Sequence, residues 1–312
     1  MYGQFFILFG LILVGYYCNK KGYLPMETNK NVGNMVMRVT IPAMLITTIA
    51  GIEITDRVLK AFLFSAAGQA AMMILFGFLM RQYGRKRGLD SRLLPMIDLT
   101  TGSLNTGFIG LPVTMIFFGQ AGIIYMSAGV LALNLYIWTY GVYVISDKKA
   151  TGAAAIGKSF LQGAINPNCI SILLGLLLAV THTARFVPTV VFGFLTKVGD
   201  LSTPLSLIYI GALAGGSGIV QLFKEKMALE ISVVKMIGMP ALAMLFIPAD
   251  GLAKSVFLLS VCMPSAAVVP MMVGRYGYGD KMSSDIVLWT TVLSMATLPL
   301  SVLLAAKLYG AV

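Results

Sequence analysis

Asn105 and Thr106, with Ser103 just before them, stand in the stretch DLTTGSLNTGFIGLPV, and Ser265 stands in CMPSAAVVPMMVGRYG. Amide and hydroxyl groups are neutral donors that can bind a carboxylate in a dry site without carrying a charge of their own. This is the chemistry of recognition, and nothing beside it suggests catalysis. The single histidine, His182, has no acidic or thiol partner nearby in the sequence, which leaves it a capping or interfacial role. Cys18, Cys169 and Cys262 are widely spaced in apolar sequence and read as inert buried thiols, so neither a disulfide framework nor a metal site is expected. No phosphate-binding glycine loop or dinucleotide fingerprint occurs, and no cofactor is expected.

Both polar stretches are built from residues that interrupt a helix. Gly102, Gly107, Gly110 and Pro112 crowd the first. At about 1 kcal/mol per Gly and 3 kcal/mol for Pro, a continuous helix through them is disfavoured by roughly 6 kcal/mol relative to Ala. Pro264 and Pro270 do the same in the second stretch by removing backbone donors and clashing with preceding carbonyls. A single such break reads equally well as a kink filled by neighbouring side chains. Two at matched positions point to a central anion site, where half-helix N-termini present partial positive charge.

The elements that must position these residues are membrane helices. Of 312 residues, 58% are hydrophobic and 11% charged, against about 25% charged in an average soluble domain. A water-soluble globule is excluded. Apolar runs separated by charged or Gly/Pro punctuation predict ten spans, at 4–18, 32–51, 59–80, 93–118, 122–146, 165–182, 187–215, 227–247, 252–273 and 284–309. The apolar N-terminus lacks a basic leading region and a small-residue cleavage site, and reads as a retained first span. Of the 23 Lys and Arg behind a net charge of +11, fifteen fall in the odd-numbered connections and four in the even-numbered ones. Cations are retained in cytoplasmic loops, so both termini are expected outside the cell membrane. The run Arg85-Lys86-Arg87 between two spans is read as such a topology signal, with no nucleic-acid partner.

The prolines carry an internal repeat. Pro25 and Pro188 are 163 residues apart, Pro42 and Pro204 162, and Pro112 and Pro270 158. TIPAMLITTIAG around Pro42 is echoed by STPLSLIYIGALAG around Pro204. Two copies of five spans must enter the bilayer from opposite sides, which predicts an inverted repeat, five plus five.

Ionisable residues inside spans are functional candidates by default. Asp98, seven residues before Asn105, lies on nearly the same helix face and could carry a proton or cation, or be solvated at the cytoplasmic end. Lys197 and Asp200 are expected to pair. Arg38 is expected to extend to the cytoplasmic interface, and Lys235, deep in the eighth span, is a candidate for pairing or for anion contact. Asn134, in the middle of the fifth span, either bonds a neighbouring helix or lines the site.

These residues together resemble the auxin efflux carrier family, which includes plant auxin exporters and bacterial malate and malonate permeases. NTGFIGLPV, from Asn105 to Val113, is similar to that family's Asn-Thr-Gly…Gly-x-Pro signature, and NPNCISILLGL to its Asn-Pro-Asn segment, at Asn166, Pro167 and Asn168. MPSAAVVPMMVGRYG resembles the second crossover, with Pro270 and Tyr276, and NLYIW resembles the fifth-span segment from Asn134 to Trp138. Leu104 stands where a Gly commonly precedes the signature Asn, and Val268 where many bacterial members have Asn.

The resemblance implies an all-α polytopic fold like that of bile-acid and sodium/proton transporters, with spans 4 and 9 broken and crossing. Scaffold helices would occupy 1–58 and 151–222, and a moving, elevator-type transport domain 59–150 and 223–312. It also implies a small organic anion, mono- or dicarboxylate, as substrate and a homodimer through the scaffold. Asn105, Pro112, Asn134 and Pro270 would contribute to the site, beside Ser103, Thr106 and Ser265 from the reading of the residues, with proton or sodium coupling a possibility at Asp98. A channel and a membrane-embedded receptor are the alternatives from other classes.

Overall fold

The computed structural model describes residues 2–145, 165–216, 225–244, 251–278 and 280–309, and every regular element among them is helical. The connection 147–164, with Lys148, Lys149 and Lys158, and also Lys224, lie outside the described residues. In chain order the helices are α1 (Tyr2–Lys20), α2 (Met26–Ala50), α3 (Asp56–Lys86), α4 (Leu94–Gly102), α5 (106–118), α6 (120–145), α7 (Pro167–Val180), α8 (Thr189–Gly216), α9 (Lys226–Ala243), α10 (Gly251–Val261), α11 (Val269–Arg275) and α12 (Asp280–Tyr309). Five stretches among the described residues are long and apolar enough to cross a membrane: α2, α3, the 94–145 run, α8 and most of α12. Two helix starts carry side-chain caps. Thr55 accepts a hydrogen bond from the Val58 amide to cap α3, and Asn166 accepts one from the Asn168 amide ahead of Pro167 to cap α7. His182 takes a left-handed conformation (φ 54°) just beyond α7, the turn that ends a helix.

Three of the large side chains most exposed to the surroundings are Val190 (81%), Phe6 (80%) and Phe186 (72%). Water would not tolerate so many large apolar side chains on the outside, and an apolar solvent removes the cost. The interior, by contrast, holds many polar side chains, among them Asp98, Ser103, Thr106, Lys235 and Ser265, all essentially fully buried. That inversion is the pattern of a membrane protein.

Close approach between helices rests on glycine. A Cβ on Gly15 of α1 would fall 2.0 Å from the Ile208 carbonyl oxygen of α8, and one on Gly211 would fall 1.9 Å from that of Ile12. Only hydrogen fits at these two positions, so α1 and α8 pack backbone to backbone as small-residue membrane interfaces do. At Gly119 (φ 60°) the helical hydrogen-bond pattern runs on but the dihedrals leave the helix, and this separates α5 from α6.

The prolines of each repeat pair take similar places. Pro25 and Pro188 are the N-caps of α2 and α8, Pro42 and Pro204 begin the second half of each of those helices, and Pro112 and Pro270 sit in the first turn of an α-helical segment. Pro112 differs from expectation in one respect. The chain is irregular only at 103–105, and a π-turn over Thr106–Gly110 leads straight into α-helix at Leu111. The wider turn uses i+5 bonding and absorbs Gly107, Gly110 and the proline's missing donor without a break.

On the side where the basic connections lie, Arg87 at the end of α3 pairs with Glu230 of α9 at 2.9 Å, and the Tyr83 hydroxyl donates to the same carboxylate. Lys281 of α12 pairs with Glu225 at 2.7 Å. Exposed pairs of this kind contribute about 0.2–1 kcal/mol each, enough to register helix ends rather than to hold the fold. The expected Lys197–Asp200 pair does not form: Lys197 is exposed on the outside of α8, while Asp200 turns into a cavity where the helix is interrupted at Leu201. Arg38 is exposed, as a side chain reaching for the interface should be.

Candidate functional site

The two irregular segments, 103–105 and 262–268, touch each other. The Asn105 amide donates to the Pro264 carbonyl at 2.8 Å, and the Ala266 amide donates to Ser103 Oγ at 3.1 Å. The Ser265 amide donates to Thr290 Oγ1 of α12 at 3.1 Å. The breaks therefore satisfy much of each other's backbone, a correction to the expectation that a solute must do so. Exposed amides cost several kcal/mol in hydrocarbon, and pairing break with break removes that cost whether or not a solute is bound. The Gly107 and Ala267 amides have no partner among the described residues.

Beside this junction lies a cavity of about 220 Å³. Asn105 and Pro270 both line it, with Phe108 and Ala267 on the side of the breaks, Tyr209 and Ala214 from α8, and Ser284 and Thr291 from α12. Phe108 and Tyr209, both lining it, stack on one another with ring centroids 5.0 Å apart. Asn105 also caps α5: its Oδ1 accepts from the Phe108 amide at 3.3 Å, which leaves the amide nitrogen as its donor.

Two of the residues singled out in the sequence thus meet on one cavity, and the others do not line it. Ser103 and Ser265 are buried behind the junction. Thr106 is buried near Gly129 of α6 with its hydroxyl unpartnered. Pro112 lies in the body of α5, and Asn134 bonds the Val130 carbonyl of its own helix at 2.8 Å. Tyr209, Ser284 and Thr291 were not foreseen, because ordinary residues in ordinary helices carry no local mark of a site.

Asp98 sits in α4, fully buried, accepting from the Tyr140 hydroxyl at 3.0 and 3.2 Å, with Arg81 3.8 Å away. Lys235 of α9 is 1% exposed and donates to the Ser103 carbonyl at 2.5 Å and to Ser265 Oγ at 2.9 Å, so it pairs with neutral oxygens rather than with an acid.

A second cavity, about 280 Å³, flanks the far end of α5 and is lined by Met115, Ile116, Gln120, Thr47, Thr196 and Asp200, among others. It shares no lining residue with the first. From Asn105 to Ile116 is about 16 Å along a helix.

Described residues that are helical in every regular element, with apolar outer faces and a buried polar junction between two interrupted helices, are the pattern of a polytopic membrane protein. The chain belongs to the family of membrane transport proteins, whose family model matches residues 1–302. Two archaeal proteins resemble it along nearly their whole lengths. An uncharacterized transporter of Methanothermobacter thermautotrophicus is 24% identical over 306 residues, covering 93% of both chains. Uncharacterized transporter MJ1031 of Methanocaldococcus jannaschii is 24% identical over 300 residues, covering 93% of this chain and 94% of the other.

Proposed function

We propose that the protein is a secondary carrier of small organic anions, with the carboxylate held at the junction of the two breaks. The observation that carries this reading is the single 220 Å³ cavity on which Asn105 and Pro270 meet. Asn105 Nδ2 donates to carboxylate oxygen, and the unpaired Gly107 and Ala267 amides add donor capacity near it. The lining is mostly apolar, with one amide, a few hydroxyls and no basic side chain, which favours a monocarboxylate with an apolar body over a dicarboxylate.

The architecture that serves this is ten spans in two inverted repeats, supported by the matched places of the three proline pairs. Both termini lie outside the cell membrane. The cavity lies between α8 of the scaffold and the broken helices of the transport domain. Elevator-type displacement of that domain exposes the anion alternately to the two sides, and two cavities without a common wall at opposite ends of α5 fit a carrier better than an open pore. The scaffold dimerises with a second copy.

In purified protein reconstituted in liposomes, labelled monocarboxylates should enter saturably and exchange faster when unlabelled anion is present on the far side. Unsaturating conductance would mean a channel, and ligand binding without flux a receptor.

We assign the coupling proton to Asp98, supported by its burial and by the Tyr140 hydroxyl that donates to its carboxylate. Asp98→Asn keeps the shape and a bond to Tyr140 but cannot release a proton. It should transport with a rate that no longer responds to an imposed pH gradient, whereas wild-type uptake should rise several-fold. Equal responses in the two proteins would remove Asp98 from that role.

A further inference from the structure

Among the described residues, Lys235 is a buried cation that the proposed anion site does not use. Its amine lies between the end of α4 and the irregular segment that joins α10 to α11. Ser103, whose carbonyl accepts the 2.5 Å hydrogen bond, is the C-cap of α4, and Ser265, whose hydroxyl accepts the 2.9 Å one, lies in the break that follows α10. The C-terminal ends of helices carry a partial negative charge of about half an electron, from carbonyls that have run out of partners. Carbonyl and hydroxyl oxygens gathered at such ends form the ligand set preferred by a small hard cation. No acidic side chain lies within ion-pairing distance of Lys235 among the described residues, so its polar partners are the carbonyl at the end of α4 and the Ser265 hydroxyl.

We infer that Lys235 is a tethered cation: its ammonium group occupies, from within the chain, a cation site between the C-terminal end of α4 and the break that follows α10, and holds the two breaks in register. The neutral helix-end oxygens are thereby used on the lysine, and the amides on the other side of the junction are left for an anion. The consequence for transport, which rests on the carboxylate reading above, is that no sodium ion is needed to assemble the site.

The test is chemical rescue. Lys235→Ala vacates the place of the ammonium group, while Lys235→Met fills the space without charge. Both detergent-purified variants should melt several degrees below wild type in choline chloride. Lys235→Ala should recover much of that loss in ammonium or methylammonium chloride, Lys235→Met should not, and wild type should melt alike in all three salts. A Lys235→Met protein as stable as wild type, or a Lys235→Ala protein that responds to no cation or is recovered in neither salt, would overturn the assignment. These melting curves involve no substrate, so they stand even if no carboxylate is carried. In liposomes, wild-type uptake should be equal in sodium and choline, and a strict sodium requirement would also count against a resident ammonium group.

Discussion

Asn105→Asp should insert, fold and melt like the wild-type protein, yet take up substrate at least tenfold more slowly. Asn105 has two tasks that this substitution separates. Its Oδ1 caps α5 by accepting from the Phe108 amide, and a carboxylate performs that task as well or better beside the positive end of a helix. In the proposed site its Nδ2 is the donor offered to the anion in the 220 Å³ cavity it lines, and a carboxylate there would be an acceptor that repels the substrate. A hydrogen bond to a charged group contributes about 1.5–3 kcal/mol, roughly a tenfold to hundredfold change before repulsion is added. Asn105→Ala should be equally inactive but about 1 kcal/mol less stable, because it loses the cap as well. Initial uptake rates in liposomes, set beside melting curves, distinguish the two tasks. Normal uptake by Asn105→Asp would move the anion site elsewhere.

Filling the cavity from its opposite wall should abolish uptake without touching either break. Ala214 is half-buried on α8 and lines the cavity across from Asn105 and Pro270. An indole at this position would take up a large part of 220 Å³ and displace any carboxylate that needs the same space. Ala214→Trp should therefore lower flux to that of empty liposomes, while Ala214→Ser should transport like wild type. Because the tryptophan enters existing space rather than a packed core, the overpacking cost of about 1–3 kcal/mol should be largely avoided. If Ala214→Trp carries substrate normally, the cavity is not on the transport route.

The two breaks, and with them Asn105 and Pro270, are the part of the candidate site that is legible in the order of residues. The glycines and prolines around Asn105 and Ser265 mark where helices cannot run straight, since the cost of a glycine or proline in a helix interior is local and nearly independent of the rest of the fold. Pro112 shows the limit of that reasoning. It stands in helical chain because the π-turn over Thr106–Gly110 accommodates it, and the choice between a break and a wider turn depends on what packs around both. Lys197 and Asp200 show a second limit. Spacing puts two side chains within reach, but a cavity on one side and the outer face on the other direct them apart.

What the sequence determined by itself is whatever depends on composition and near neighbours: a membrane-embedded helical chain, the neighbourhoods of the two interruptions that meet, and the paired prolines. What only the tertiary structure decided is which interrupted segment answers which. The Asn105 amide bonds to Pro264, Ser103 meets Ala266, and Lys235 reaches oxygens 132 and 30 residues away. Tyr209, Ser284 and Thr291 join the cavity from helices that show no sign of it on their own. The physical reason is that backbone preference is a property of each residue with its neighbours in the chain, whereas hydrogen-bond satisfaction in an apolar medium is a property of the whole folded interior.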